Sequence, residues 1–60
     1  MFTLTQKIEC VKREVKRRER MYPHLVKEGK LSENDAISEL IVMQEVLETL
    51  TQLKGLIGEL

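Results

Sequence analysis

The feature that most restricts the fold of this chain is a pair of apolar stripes placed symmetrically about one turn. Leu4, Ile8, Val11, Val15, Arg18, Tyr22 and Leu25 recur at alternating spacings of four and three. That is the heptad period of a helix with one buried seam, interrupted here by the charge of Arg18. A second stripe with the same period runs through Ala36, Leu40, Met43, Leu47, Leu50, then Leu53 or Lys54, and Ile57. Pairing residues equidistant from the Gly29–Ser32 segment sets Leu25 against Ala36, Tyr22 against Leu40 and Arg18 against Met43. Further from the turn it sets Val15 against Leu47, Val11 against Leu50 and Leu4 against Ile57. Unrelated helices need not match in register and length, so the spacing predicts an all-α antiparallel two-helix hairpin.

The ends of both helices are marked. Thr3-Leu4-Thr5-Gln6 has the form of a capping box, in which the Thr3 hydroxyl accepts from the Gln6 N–H and Gln6 reaches back. Gly29 tolerates a positive φ and suits a helix stop. Ser32 is a strong N-cap, and Asp35 extends it into a capping-box-like pattern while placing negative charge at the helix start. Pro23 is the irregular element: it removes a backbone donor, clashes with the carbonyl of Glu19 and restricts Tyr22. The apolar register nevertheless continues to Leu25 and Val26. We therefore expect one domain over residues 1–60: a first helix over about 3–28 with a kink at Pro23, a turn at 29–32, and a second helix over about 33–57. A complete break at Tyr22 is the alternative.

Such a hairpin has more apolar surface than it can cover. Sixty residues rarely bury enough to fold alone without a disulfide, a metal or a partner. Cys10 is the only cysteine and His24 the only histidine, which rules out an internal disulfide and leaves too few ligands for a Cys/His metal site. Association remains. Ile37, Ile41, Val42, Val46, Leu53 and Leu56 widen the apolar surface of the second helix beyond a simple seam. Ile37, Ile41, Val46 and Leu53 are thus the expected dimer or partner face, and a homodimeric four-helix bundle is the simplest completion.

Charge is divided between the helices. Residues 1–30 carry nine Lys or Arg and four Glu, net +5, and residues 31–60 carry one Lys and six acids, net −5. The run VKREVKRRER could neutralise phosphates through Lys12, Arg13, Lys16, Arg17 and Arg20. Equally, it reads as a solvated helix face balanced by Glu9, Glu14, Glu19 and the acidic second helix. The second reading is the stronger, because Phe2 and Tyr22 are the only aromatic residues for base stacking and no nucleic-acid-binding module is present. Arg18, inside the seam, requires Glu14 or Glu39 as a partner, or else extends its head into solvent. Tyr22, Pro23 and His24 form a candidate recognition knob near the turn, although such a tyrosine more often packs its ring and hydrogen-bonds its hydroxyl at the core edge. Cys10, one residue before Val11, reads as a semi-buried small apolar residue.

Nothing here converges on catalysis. The carboxylates are dispersed, His24 has no evident partner, and no Gly-rich phosphate loop, nucleophile elbow or metal motif is present. No enzyme activity, cofactor or metal is expected. No apolar run reaches spanning length and no signal-peptide pattern opens the chain, so no membrane association is expected and the cytoplasm is the default. In the tail, Gly55 and Gly58 weaken helix propensity, so Leu56, Ile57 and Leu60 either fray or dock on Phe2 and Leu4, with an apolar patch for another protein as the weaker reading.

The order Glu9, Arg13-Glu14, Arg18, Arg20, Tyr22-Pro23, Val26, Gly29-Lys30, a Ser32-type cap, Ala36, Glu39, Met43 and Val46-Leu47 spans residues 9–50. In this pattern the chain resembles small helical-hairpin proteins encoded in bacteriophage and prophage genomes. The resemblance implies a phage or prophage setting in the host cytoplasm. By analogy it implies an accessory protein that binds a host protein, a defence complex or a regulator. The expected contact surfaces are Arg13, Arg17 and Arg20 with Tyr22 and His24. A nucleic-acid-associated protein using the basic face and a structural subunit of a larger assembly are the two alternatives.

Overall fold

The computed structural model describes residues 1–58. Two helices, α1 (Leu4–Lys27) and α2 (Glu33–Ile57), form an antiparallel hairpin with no strand among the described residues. They pack on each other, and the molecule is one helix long and two helices across, 43 × 16 × 16 Å.

Each helix end is fixed by local chemistry. At the start of α1 the Thr3 hydroxyl accepts from the Gln6 N–H at 3.1 Å, and the Gln6 side chain accepts from the Thr3 N–H at 2.9 Å. These reciprocal bonds satisfy two backbone donors that the first helical turn leaves without partners. At the other end, the Gly29 N–H donates to Val26 O at 3.1 Å and the Lys30 N–H to Leu25 O at 2.9 Å. This is a Schellman closure, which requires a left-handed residue; Gly29 supplies it with φ 74°. The chain re-enters helix at Ser32, whose hydroxyl accepts from the Asp35 N–H at 3.0 Å. Glu33 and Asp35 place negative charge in this first turn. Asp35, one methylene shorter than the glutamate of a full capping box, makes no return bond to Ser32.

Pro23 lies inside α1, which runs unbroken through Tyr22 to Lys27. The complete break considered at Tyr22 does not occur. The physical reason lies beyond the proline: Leu25 and Val26 are both half-buried, and ending the helix at Tyr22 would remove them from the seam.

The core is small. Ile8, Val15 and Ala36 are the buried residues, and Leu4, Val11, Arg18, Tyr22, Leu25, Leu40, Met43, Leu47 and Leu50 are half-buried along the same seam. Of the two candidates near the end of α2, Lys54 takes the seam position, half-buried, while Leu53 is exposed. The long methylene stem of a lysine can cover apolar surface while its ammonium reaches water. The open end of the hairpin departs from expectation. Phe2 is 73% exposed, Leu56 85% and Ile57 60%, so Leu56 does not dock on Phe2, and Ile57 gives Leu4 little cover. Leu60 lies outside the described residues. Cys10 is exposed, not semi-buried, because it falls outside the seam, beside but not within the contact made by Val11.

Candidate interaction surfaces

Successive helical residues turn by about 100°, which sorts the side chains of each helix into faces. On α2 the seam residues occupy one face, and the exposed apolar residues divide between two others. Ile37 and Ile41 lie on one flank. Val42, Val46, Leu53 and Leu56 lie on the opposite flank, with Thr49 between them at a spacing of four, three, four and three. The four residues expected to form one partner face, Ile37, Ile41, Val46 and Leu53, are all exposed, but they belong to these two separate flanks. Residues 42, 46, 49, 53 and 56 compose a second heptad stripe of their own. It is visible in the sequence once the first seam is subtracted, and Val42 and Leu56 are the members that complete it.

The Ile37 flank borders an open groove between the helices near the turn. Tyr22, Pro23, Val26, Ala36, Ile37 and Leu40 line it, with Glu19 and Glu33 among its charged neighbours. Tyr22 is half-buried here, whereas His24 is exposed. Two residues of helix place their side chains about 200° apart, so Tyr22 and His24 do not share one recognition knob. Tyr22 belongs to the groove and His24 to the outer face of α1.

That outer face, opposite the seam, carries Arg13, Lys16, Arg17, Arg20, His24 and Lys27, all exposed. None of them forms an ion pair among the described residues. Two of the three glutamates that the sequence offers as counter-charges, Glu9 and Glu14, are paired with other residues. Glu14 accepts from Arg18 Nε at 2.9 Å, Glu9 sits 3.7 Å from Lys12, and Glu28 lies 3.2 Å from Lys30. Glu19 stands at the margin beside Lys16 and Arg20 without pairing to either. The stripe is therefore a row of positive charge without direct ion pairs among the described residues, with Glu19 at its margin.

Arg18 is a different kind of basic residue. Half-buried in the seam, it is bonded to Glu14 on its own helix, and its Nη1 lies 3.9 Å from Glu39 on α2. Both partners foreseen for it are present, the cross-helix one at long range. The hydrogen bond to Glu14 is the chief cause holding its pKa above the ordinary arginine value; partial burial opposes it, and Tyr22, Glu14 and Glu39 add to it. The guanidinium therefore stays charged at every accessible pH. It is a polar contact between the helices and a natural marker of their register.

Among the described residues no group of three or more His, Cys, Asp and Glu side chains is placed to hold a metal ion, and no helix is long and apolar enough to cross a membrane. Comparison with protein-family models, with curated proteins and with solved structures returned no match.

Proposed function

We propose that this chain is a non-enzymatic interaction protein that pairs with a second copy of itself and, so assembled, acts by contact with another protein. The observation that carries the reading is the imbalance of α2. Among the described residues three are buried, while Ile37, Ile41, Val42, Val46, Leu53, Leu56 and Ile57 are all exposed on this one helix. A helix apolar on several sides is a helix built to be covered on several sides. Contiguous exposed apolar surface of this kind marks an association site.

The Val42–Leu56 stripe selects the second copy as occupant, because it is complementary to itself. With a two-fold axis at Thr49, Val42 of one copy lies opposite Leu56 of the other, and Val46 opposite Leu53. Antiparallel pairing is favoured over parallel by Glu39, which occupies the next position of the same stripe toward the turn. Parallel pairing would set two Glu39 side chains against each other, whereas antiparallel pairing sends them to opposite ends. The product is a C2 assembly of four helices in the order α1–α2–α2–α1.

The resemblance of residues 9–50 to small phage-encoded proteins supports a setting in which the assembled protein modulates a host or defence factor in the host cytoplasm. The groove around Tyr22 and Ile37 stays open in such a dimer and is the surface we assign to that partner. Sedimentation equilibrium tests the pairing. We expect about twice the chain mass of 7.0 kDa at micromolar concentration, and a monomeric or unfolded chain for Leu53→Glu. A folded wild-type monomer at that concentration would overturn the reading.

A further inference from the structure

The outer face of α1 carries a function that self-association does not use. From Arg13 to Lys27 it extends about 21 Å at the helical rise of about 1.5 Å per residue. It presents Arg13, Lys16, Arg17, Arg20 and Lys27, every one exposed and none in an ion pair among the described residues. In sequence, the neighbouring glutamates look like their counter-charges. In the structure Glu9, Glu14 and Glu28 serve Lys12, Arg18 and Lys30 instead, and Glu19 stays at the margin of the stripe beside Lys16 and Arg20 without an ion pair to either.

We infer that this stripe binds the phosphate backbone of duplex nucleic acid without reading its sequence. Three features choose this ligand over other anions. The stripe has no apolar or aromatic centre, and protein interfaces draw most of their energy from such a centre. The apolar face of α1 is occupied by α2, so α1 cannot lie in a membrane interface as an amphipathic helix does. Three of the five permanent cations are arginines, whose planar fork matches phosphate oxygens. The scarcity of aromatic side chains, which argues against recognition of unstacked bases, does not bear on contact with a duplex backbone.

Where the antiparallel pairing proposed above also holds, its two-fold axis stands perpendicular to the plane of the two α2 helices. Both α1 helices then lie on the same side of that plane, roughly 20 Å apart for helices packed about 10 Å from their neighbours. The two basic stripes face the same way and offer a single duplex two rows of cations.

Fluorescence anisotropy with a labelled duplex of arbitrary sequence tests the stripe. At about 50 mM salt we expect saturable binding, with log K falling against log salt at a slope of about −4 for each hairpin engaged. The triple variant Arg13→Glu, Arg17→Glu, Arg20→Glu should lose at least about 100-fold in affinity, since it removes three phosphate contacts and adds three repulsive charges. A second triple, Lys7→Glu, Lys30→Glu, Lys54→Glu, changes net charge equally off the stripe and should lose less than about tenfold. Circular dichroism of both variants confirms that they fold. Equal losses in the two triples, no binding up to about 50 μM duplex, or displacement of the duplex by an equal charge of polyglutamate would overturn the inference. Sedimentation of the same samples reads the pairing separately: a monomer that still binds contradicts the dimer alone, and a dimer that does not bind contradicts the stripe alone.

Discussion

At the scale of single residues, the most informative side chain is Arg18. A charge in an apolar seam lowers stability relative to a packed hydrophobe and fixes register in exchange. Here it bonds Glu14 and faces Glu39 on the other helix. Arg18→Met should therefore raise the thermal unfolding midpoint, by about 4–8 °C if the gain is about 1 kcal/mol. It should also relax the alignment of the helices, which NMR line shapes would report. Because the folded-state pKa of Arg18 is raised, its contribution is complete below the ordinary arginine value and is lost only above it. Wild type and Arg18→Met should accordingly differ by the same margin throughout about pH 6–9. A difference that changes across that window would assign the effect to another group. The partners of Arg18 were legible in the sequence because they lie at i+4 spacing on one helix and in register on the other. The exposure of Cys10 was not: a residue adjacent to a seam position falls on either side of the burial boundary according to small rotations of the helix.

At the scale of the element, the caps were legible and the proline was ambiguous. Thr3-Gln6, Gly29 and Ser32 act within four residues of themselves, so their chemistry does not await tertiary structure. Pro23 sets a local rule against a distant one. Locally it should end the helix; at a distance, Leu25 and Val26 require that the helix continue, and continuation wins. It follows that Pro23→Ala restores a donor to the Glu19 carbonyl within an existing helix. We expect it to stabilise the hairpin by about 1–2 kcal/mol, less than the full cost of an interior proline because proline also restricts the unfolded chain. A urea titration measures this, and a loss of stability would mean that the helix does not follow one course through residue 23. Faces were harder to read than ends. The apolar residues of α2 look like one broad band in sequence, but the structure resolves them into an Ile37–Ile41 flank beside the groove and a Val42–Leu56 stripe on the far side. Only when one seam is known to be occupied by α1 does the second become distinguishable.

At the scale of the whole molecule, the two helices divide charge and apolar surface unequally. One helix has a basic outer face and a single apolar seam; the other has apolar residues on several sides and five of the ten acidic residues. The turn at Gly29 and Ser32 was legible because symmetry of the two stripes locates it. The open end was not, since equidistance from the turn predicts alignment and says nothing about cover, and Phe2, Leu56 and Ile57 are left in solvent. The central claim is that the Val42–Leu56 stripe pairs antiparallel about Thr49 with a second copy, and cysteine cross-linking in a Cys10→Ser background tests it most directly. Thr49→Cys should form a disulfide-linked dimer on mild oxidation, and a mixture of Val42→Cys and Leu56→Cys chains should cross-link to each other. Efficient homodimer cross-linking by Val42→Cys alone would mean parallel pairing, and no cross-link at any of the three positions would mean that this face meets something other than itself.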